Sequence, residues 1–96
     1  MKTYSRMFKI LYTKEAKTAI EKLPIKKKRQ VKKAIEHITE NPEIGKHLTH
    51  ELKSLLSYRS GTYRIIYRIY RKKIIVVILT VGHRKGIYQK TIRKVR

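Results

Sequence analysis

The stretch that most constrains the fold is Ile74–Val81, which is apolar on both of its alternating faces. Successive side chains of a strand point to opposite sides, so a run with no polar face must be covered on both sides. That places it at the centre of a sheet. Its uninterrupted apolar part, Ile74–Leu79, is far too short to cross a bilayer. Just upstream, Tyr63, Ile65, Tyr67 and Ile69 alternate with Arg64, Ile66, Arg68 and Tyr70, the pattern of a strand with two unlike faces. The residues between the two runs, Tyr70-Arg71-Lys72-Lys73, suit a tight turn.

The first half reads differently. Residues 7–12 suit a short strand, and Thr13 then offers an N-cap with Glu15 in the first turn, where the helix dipole favours an anion. Ala16, Ala19, Ile20 and Leu23 form one apolar helical stripe, which Pro24 ends by disfavouring helical backbone at Leu23. A second helix carries Val31, Ala34, Ile35 and Ile38 at the same spacing, with Lys26, Lys27, Lys28, Arg29, Lys32 and Lys33 on its other faces. Asn41-Pro42 and Gly45 stop it. The expectation is a single α+β domain over residues 1–96, ordered β-α-α-β-β-β with a short basic C-terminal helix. Its two N-terminal helices pack on one face of a small twisted antiparallel sheet.

Charge narrows the partners. Lys and Arg number 26 against six Glu and no Asp, a formal net charge of +20. Every carboxylate side chain lies at or before Glu51, so the second half is basic without relief. Such a field attracts polyanions: nucleic acid, an anionic membrane or an acidic protein. The chain has no cysteine, which removes disulfides and cysteine-held zinc. The start lacks the apolar run and cleavage site of a signal peptide, so the expected setting is the cytoplasm, with no membrane association.

Familiar constellations are missing. There is no Gly-rich phosphate loop and no HExxH, and His47 with His50 is a pair lacking a third ligand. Metal-dependent nucleases hold ions with clustered carboxylates, which the second half lacks, so neither a metal nor another cofactor is expected. Metal-free RNA cleavage needs a base for the 2′-hydroxyl, an acid for the leaving oxygen and cations against the charge on the phosphorane. Arginine suits the last role because its planar fork grips phosphate. Tyr and His can carry protons or stack on a base. Strand alternation turns Arg64 and Arg68 away from the Tyr63, Ile65 and Tyr67 face. "VGHRKGIY" sets His83, Arg84 and Tyr88 just past the end of the central strand. Tyr63, Tyr67 and Tyr70 are assigned to packing.

The ordered set "LP…KKAIEHITENP", "ELKSLLSYRSGTYRIIYRI" and "ILTVGHRKGIY" resembles the RelE/ParE superfamily of toxins from toxin–antitoxin modules. The resemblance covers nearly the whole chain. It implies an RNA-binding concave sheet face, metal-independent cleavage of messenger RNA on the ribosome, growth arrest, and silencing by a cognate antitoxin in a hetero-oligomer. On motif match Arg64 and Arg84 would hold the scissile phosphate, Tyr88 would stack on or polarise the substrate, and His83 would transfer a proton. Arg59, Lys53, Lys85 and Arg68 would add RNA contacts. One departure stands out: where related toxins carry lysines in the strand before "YRIIY", this chain offers Arg59, with Lys53 upstream. No general base is evident unless Glu51 reaches the site. The same fold also serves ParE-type inhibitors of DNA gyrase, and a basic RNA- or ribosome-binding protein without catalysis would share the charge. The late tyrosine of "VGHRKGIY" favours the nuclease branch.

Overall fold

A computed structural model describes residues 8–83, 86, 87 and 91. Strand β1 (Lys9–Tyr12) leads into helix α1 (Lys14–Glu21), whose N-cap Thr13 accepts the Ala16 N–H at 3.0 Å. Helix α2 (Ile25–Glu40) begins directly after Pro24, whose ring fixes φ near the helical value and whose missing N–H costs nothing there. It ends at Asn41, the N-cap of a 3-10 turn at Pro42–Ile44. A two-residue strand β2 (Lys46–His47) and a second 3-10 turn (His50–Leu52) precede β3 (Leu56–Ser60), β4 (Tyr63–Tyr70) and β5 (Ile75–His83). No helix among the described residues is long and apolar enough to cross a membrane.

The five strands form one sheet in the order β1-β5-β4-β3-β2. Three of its pairings are antiparallel, as expected, but β1 runs parallel to β5, with Lys9 opposite Ile75 and Tyr12 opposite Ile78. The reason lies in β5. With its apolar run covered on both faces, β5 sits inside the sheet, where its backbone groups must be paired along both edges, and the chain supplies β4 on one side and β1 on the other. β2 was not expected either, being too short to show a period. The expected C-terminal helix is described only at Ile87 and Thr91, both helical, with Thr91 Oγ1 donating to the Ile87 carbonyl at 2.7 Å. The rest of it lies outside the described residues.

Both helices lie on one face of the sheet. Ala16, Val31, Ala34, Ile35 and Ile38 meet Leu56, Ile65, Tyr67, Val76, Ile78 and Val81 in the main core. On the opposite face Ile66 gathers Leu52, Leu55 and Ile87, with Leu48 and Leu79 at the margin. The alternation expected for β4 is therefore real: Ile65 and Tyr67 point to the helices and Ile66 points away. Between Ile66 and Tyr67 the β4–β5 register slips, so that Ile66 faces Thr80 while Tyr67 faces Ile78. This bulge is clamped by Thr13, whose Oγ1 donates to the Leu79 carbonyl at 2.6 Å and whose N–H donates to the Ile78 carbonyl at 3.1 Å.

Tyr67, fully buried, ties the sheet to the loop after α2. Its hydroxyl donates to the Pro42 carbonyl at 2.6 Å and accepts the Gly45 N–H at 2.9 Å. Gly45 lies so close that a Cβ there would approach Tyr67 Cε1 to 2.9 Å, so no larger residue fits without displacing the ring. The β3–β4 turn is the two-residue Gly61-Thr62, with Gly61 at φ +61°, as favoured hairpin turns require.

Candidate nucleic-acid interface

The sheet face away from the helices carries the candidate site. Directly opposed residues of neighbouring strands share a face, and Arg64 on β4 lies opposite Arg59 on β3 and opposite Gly82 on β5. Two guanidinium side chains thus leave the sheet side by side, their Cβ atoms within about 4.5–5.5 Å by the geometry of such pairs. Like charges in that position repel. Arg59 is exposed, whereas Arg64 is half-buried, and its Nε is buried with no hydrogen-bond partner among the described residues. An orphaned guanidinium nitrogen next to a second cation is the arrangement that an anion would complete.

What covers Arg64 is partly visible. Ile87 packs on Ile66, one pleat along from Arg64. A Cβ on Gly82 would come within 2.6 Å of Ile87 Cδ1, so glycine lets this segment lie close to β5 beside Arg64. Lys53, exposed, follows Leu52 at the margin of the same apolar cluster. Arg84, Lys85 and Tyr88 lie outside the described residues.

Other candidates take different positions. His83 lies opposite Tyr63, and the two rings stack with centroids 4.6 Å apart and planes tilted by 31°. Since Tyr63 packs against the main core, the strand register puts His83 on the helix side at the end of β5, away from Arg64. Arg68 is exposed, with its guanidinium 5.0 Å from the Tyr70 ring centre, a cation–π contact rather than a place beside Arg64. Of the three tyrosines assigned to packing, Tyr67 is buried and Tyr63 half-buried, but Tyr70 is 39% exposed beneath Arg68. Arg71, with no acid near it in sequence, pairs with Glu43, which also accepts from His47 Nε2 at 3.1 Å.

One carboxylate makes a contact that its sequence position did not show, on the helix side of the sheet. Glu15 Oε2, on α1, accepts a hydrogen bond from Thr80 Oγ1 at 2.7 Å, which places the pair on the helix side of the sheet, beyond the β4–β5 bulge and away from Arg64. Its only sequence signal is its place in the first turn of α1, which the helix dipole already accounts for. Glu51, the carboxylate considered from sequence, is exposed in the 3-10 turn at His50–Leu52. No group of three His, Asp or Glu converges among the described residues.

Comparison with known proteins places this architecture. The family described as the ParE toxin of type II toxin–antitoxin systems, parDE, matches residues 10–88. The chain belongs to the RelE/ParE superfamily of toxins. One chain of the toxin–antitoxin complex RelBE2 of Mycobacterium tuberculosis is 36% identical, superposes with a TM-score of 0.75, and is matched over 81% of this chain and 92% of its own. The isolated RelE toxin of E. coli shares the fold at a TM-score of 0.69 and 20% identity, over 93% of this chain and 99% of its own. Toxin RelG of Mycobacterium tuberculosis is 49% identical over 47 residues, which is 49% of this chain and 54% of that toxin; the match therefore spans about half the length of RelG. These similarities make the chain a RelE-like toxin of the type II toxin–antitoxin kind.

Proposed function

We propose that this toxin is a metal-independent endoribonuclease that cleaves messenger RNA on the ribosome and is held inactive by a cognate antitoxin. The observation that carries the reading is the Arg59–Arg64 pair, with the buried Arg64 Nε lacking a partner among the described residues. In the proposed reaction the 2′-oxygen attacks the adjacent phosphorus while its proton passes to a base. The bond from phosphorus to the 5′-oxygen breaks, and that oxygen takes up a proton. The products are a 2′,3′-cyclic phosphate and a 5′-hydroxyl. Arg64 and Arg84 stabilise the charge on the phosphorane, and Tyr88 orients the neighbouring nucleotide. His83, which the motif match would make a proton carrier, stacks on Tyr63 on the helix side at the end of β5, so this reading leaves the proton transfers to groups that meet the phosphate on the Arg64 face. Arg59, Lys53, Lys85 and Arg68 attract and align the strand. Docking on the ribosome supplies positioning, which contributes about 7–11 kcal/mol in favourable reactions.

The antitoxin assignment rests on relatives crystallised with theirs, among them RelBE2 of M. tuberculosis and the RelE–RelB complex of Pyrococcus horikoshii. It is also favoured by the +20 charge, which suits an acidic partner. The ParE description of the matching family supports a second reading, inhibition of DNA gyrase. Induction of wild type, Arg64→Ala and Arg84→Ala in cells, with mapping of messenger 5′ ends and a gyrase supercoiling assay, separates the two. The nuclease reading expects new 5′ ends with wild type and a loss of about 10²–10³-fold in either variant. Growth arrest with intact messages and blocked supercoiling would overturn it.

A further inference from the structure

A second basic feature lies around the edge of the sheet from Arg64. β2 pairs with β3 only at Leu56 and Ser57, so the outer edge of β3 from Tyr58 to Ser60 pairs with no strand among the described residues. α2 passes beside this edge, and between them is a cleft of about 260 Å³. Gln30, Lys33 and His37, spaced i, i+3 and i+7 along one face of α2, line one wall; Tyr58, Arg59 and Gly61 line the other. No lining residue carries a carboxylate. The polar groups are an ammonium, a guanidinium, an imidazole, an amide and a phenol, a set suited to a ligand rich in acceptors. The volume is close to the small end of ordinary ligand sites, about 300–1,000 Å³.

Two features give the cleft a shape. The Tyr58 ring packs on the main core from inside, and its hydroxyl lies 3.4 Å from His37 Nδ1, a long contact that braces the ring against α2. Gly61, held at φ +61° by the β3–β4 turn, borders the mouth across from Gln30. A third feature connects the cleft to the site. Arg59 lies on its rim and is also the residue directly opposite Arg64. A polyanion with one phosphate on Arg64 therefore meets Arg59 next and then Lys33.

We propose that this cleft, reached from the Arg64 face around the β3 edge, receives an RNA nucleotide flanking the scissile one, with its base against Tyr58 and its phosphate between Arg59 and Lys33. The proposal rests on the reading of the Arg64 face as an RNA site. RNA fits better than an acidic protein segment because the cleft has an aromatic platform and a volume suited to a single nucleotide. It is also continuous in charge with Arg64, and stacking with cationic tracking of the backbone is how single strands are held.

The test is fluorescence anisotropy of a labelled, uncleavable 2′-O-methyl RNA hexanucleotide with wild type, Lys33→Gln, Tyr58→Ala, Tyr58→Phe and Arg64→Ala. Thermal melts confirm that each variant folds. Tyr58→Ala is expected to weaken binding by about fivefold or more, whereas Tyr58→Phe keeps the ring and binds as wild type. Lys33→Gln is expected to lower affinity and reduce the slope of log affinity against log salt by about one. If Lys33→Gln and Tyr58→Ala bind normally while Arg64→Ala is impaired, the cleft assignment is wrong and the RNA reading of Arg64 survives. If Arg64→Ala also binds normally, both fail. Should the cleft variants bind RNA normally but lose affinity for a Glu-rich peptide, the cleft serves a protein partner and the nucleotide assignment is overturned.

Discussion

Arg64→Met should stabilise the free protein while abolishing the proposed activity. A buried donor without a partner costs about 1–3 kcal/mol of desolvation, and Arg64 Nε is such a donor. Directly opposed like charges on neighbouring strands add about 0.2–1 kcal/mol of repulsion, and Arg59 faces Arg64 in that way. Methionine keeps much of the apolar stem that packs on the sheet and removes both costs. Allowing for solvent around the half-exposed end of the side chain, the net gain should be about 1–2 kcal/mol. For a domain of this size that is a rise in melting temperature of about 5–10 °C. Calorimetry at low salt measures it, and repeating the melt in sodium sulfate adds a control. An anion that occupies the Arg59–Arg64 pair should raise the melting temperature of wild type more than that of Arg64→Met. A variant that melts below wild type, or gains as much from sulfate, would refute the argument, because Arg64 would then be satisfied within the folded chain. The same trade is general: groups kept for a ligand destabilise the protein that waits for it.

Three other outcomes follow from the geometry. Tyr67→Phe leaves the Pro42 carbonyl and the Gly45 N–H without their partner and should cost about 1–3 kcal/mol in urea unfolding. Burial, offset by the bond from Gly45 and reinforced by Tyr58, pushes the Tyr67 hydroxyl from 10.0 up to about 12, so its contribution is fully present below pH 10 and lost as pH rises towards 12. Unfolding midpoints across that window should fall less steeply in Tyr67→Phe; equal slopes would contradict a raised Tyr67. His83→Ala should lower the melting temperature, since the ring stacks on Tyr63 away from Arg64, and should leave the cleavage rate close to that of wild type; a fall of about 10²–10⁴-fold with an altered pH–rate profile would show instead that the ring carries a proton.

Much of the architecture is legible in the sequence because it rests on periodicity. The α2 stripe of Val31, Ala34, Ile35 and Ile38 is wholly buried, and β4 turns Ile65 and Tyr67 one way and Ile66 the other. The features that escape are those set by contacts distant in sequence, for which local pattern holds no record. The parallel placement of β1 depends on β5 needing a second neighbour some 65 positions later, as the Thr13–Leu79 bond at a separation of 66 illustrates. The partner of Arg71 was invisible because Glu43 is brought to it by the loop that Tyr67 anchors. The side on which His83 falls depends on its register with Tyr63 across the hairpin, beyond a bulge that alternation alone does not reveal. The arginines of β4 and of the turn after it sort themselves by the same logic. Arg71 finds a carboxylate and Arg68 an aromatic ring, while Arg64 stands beside another cation with its Nε unbonded among the described residues. Of the three, it is the one whose surroundings within the fold do not account for its charge, and a phosphate is the group whose geometry and sign complete them.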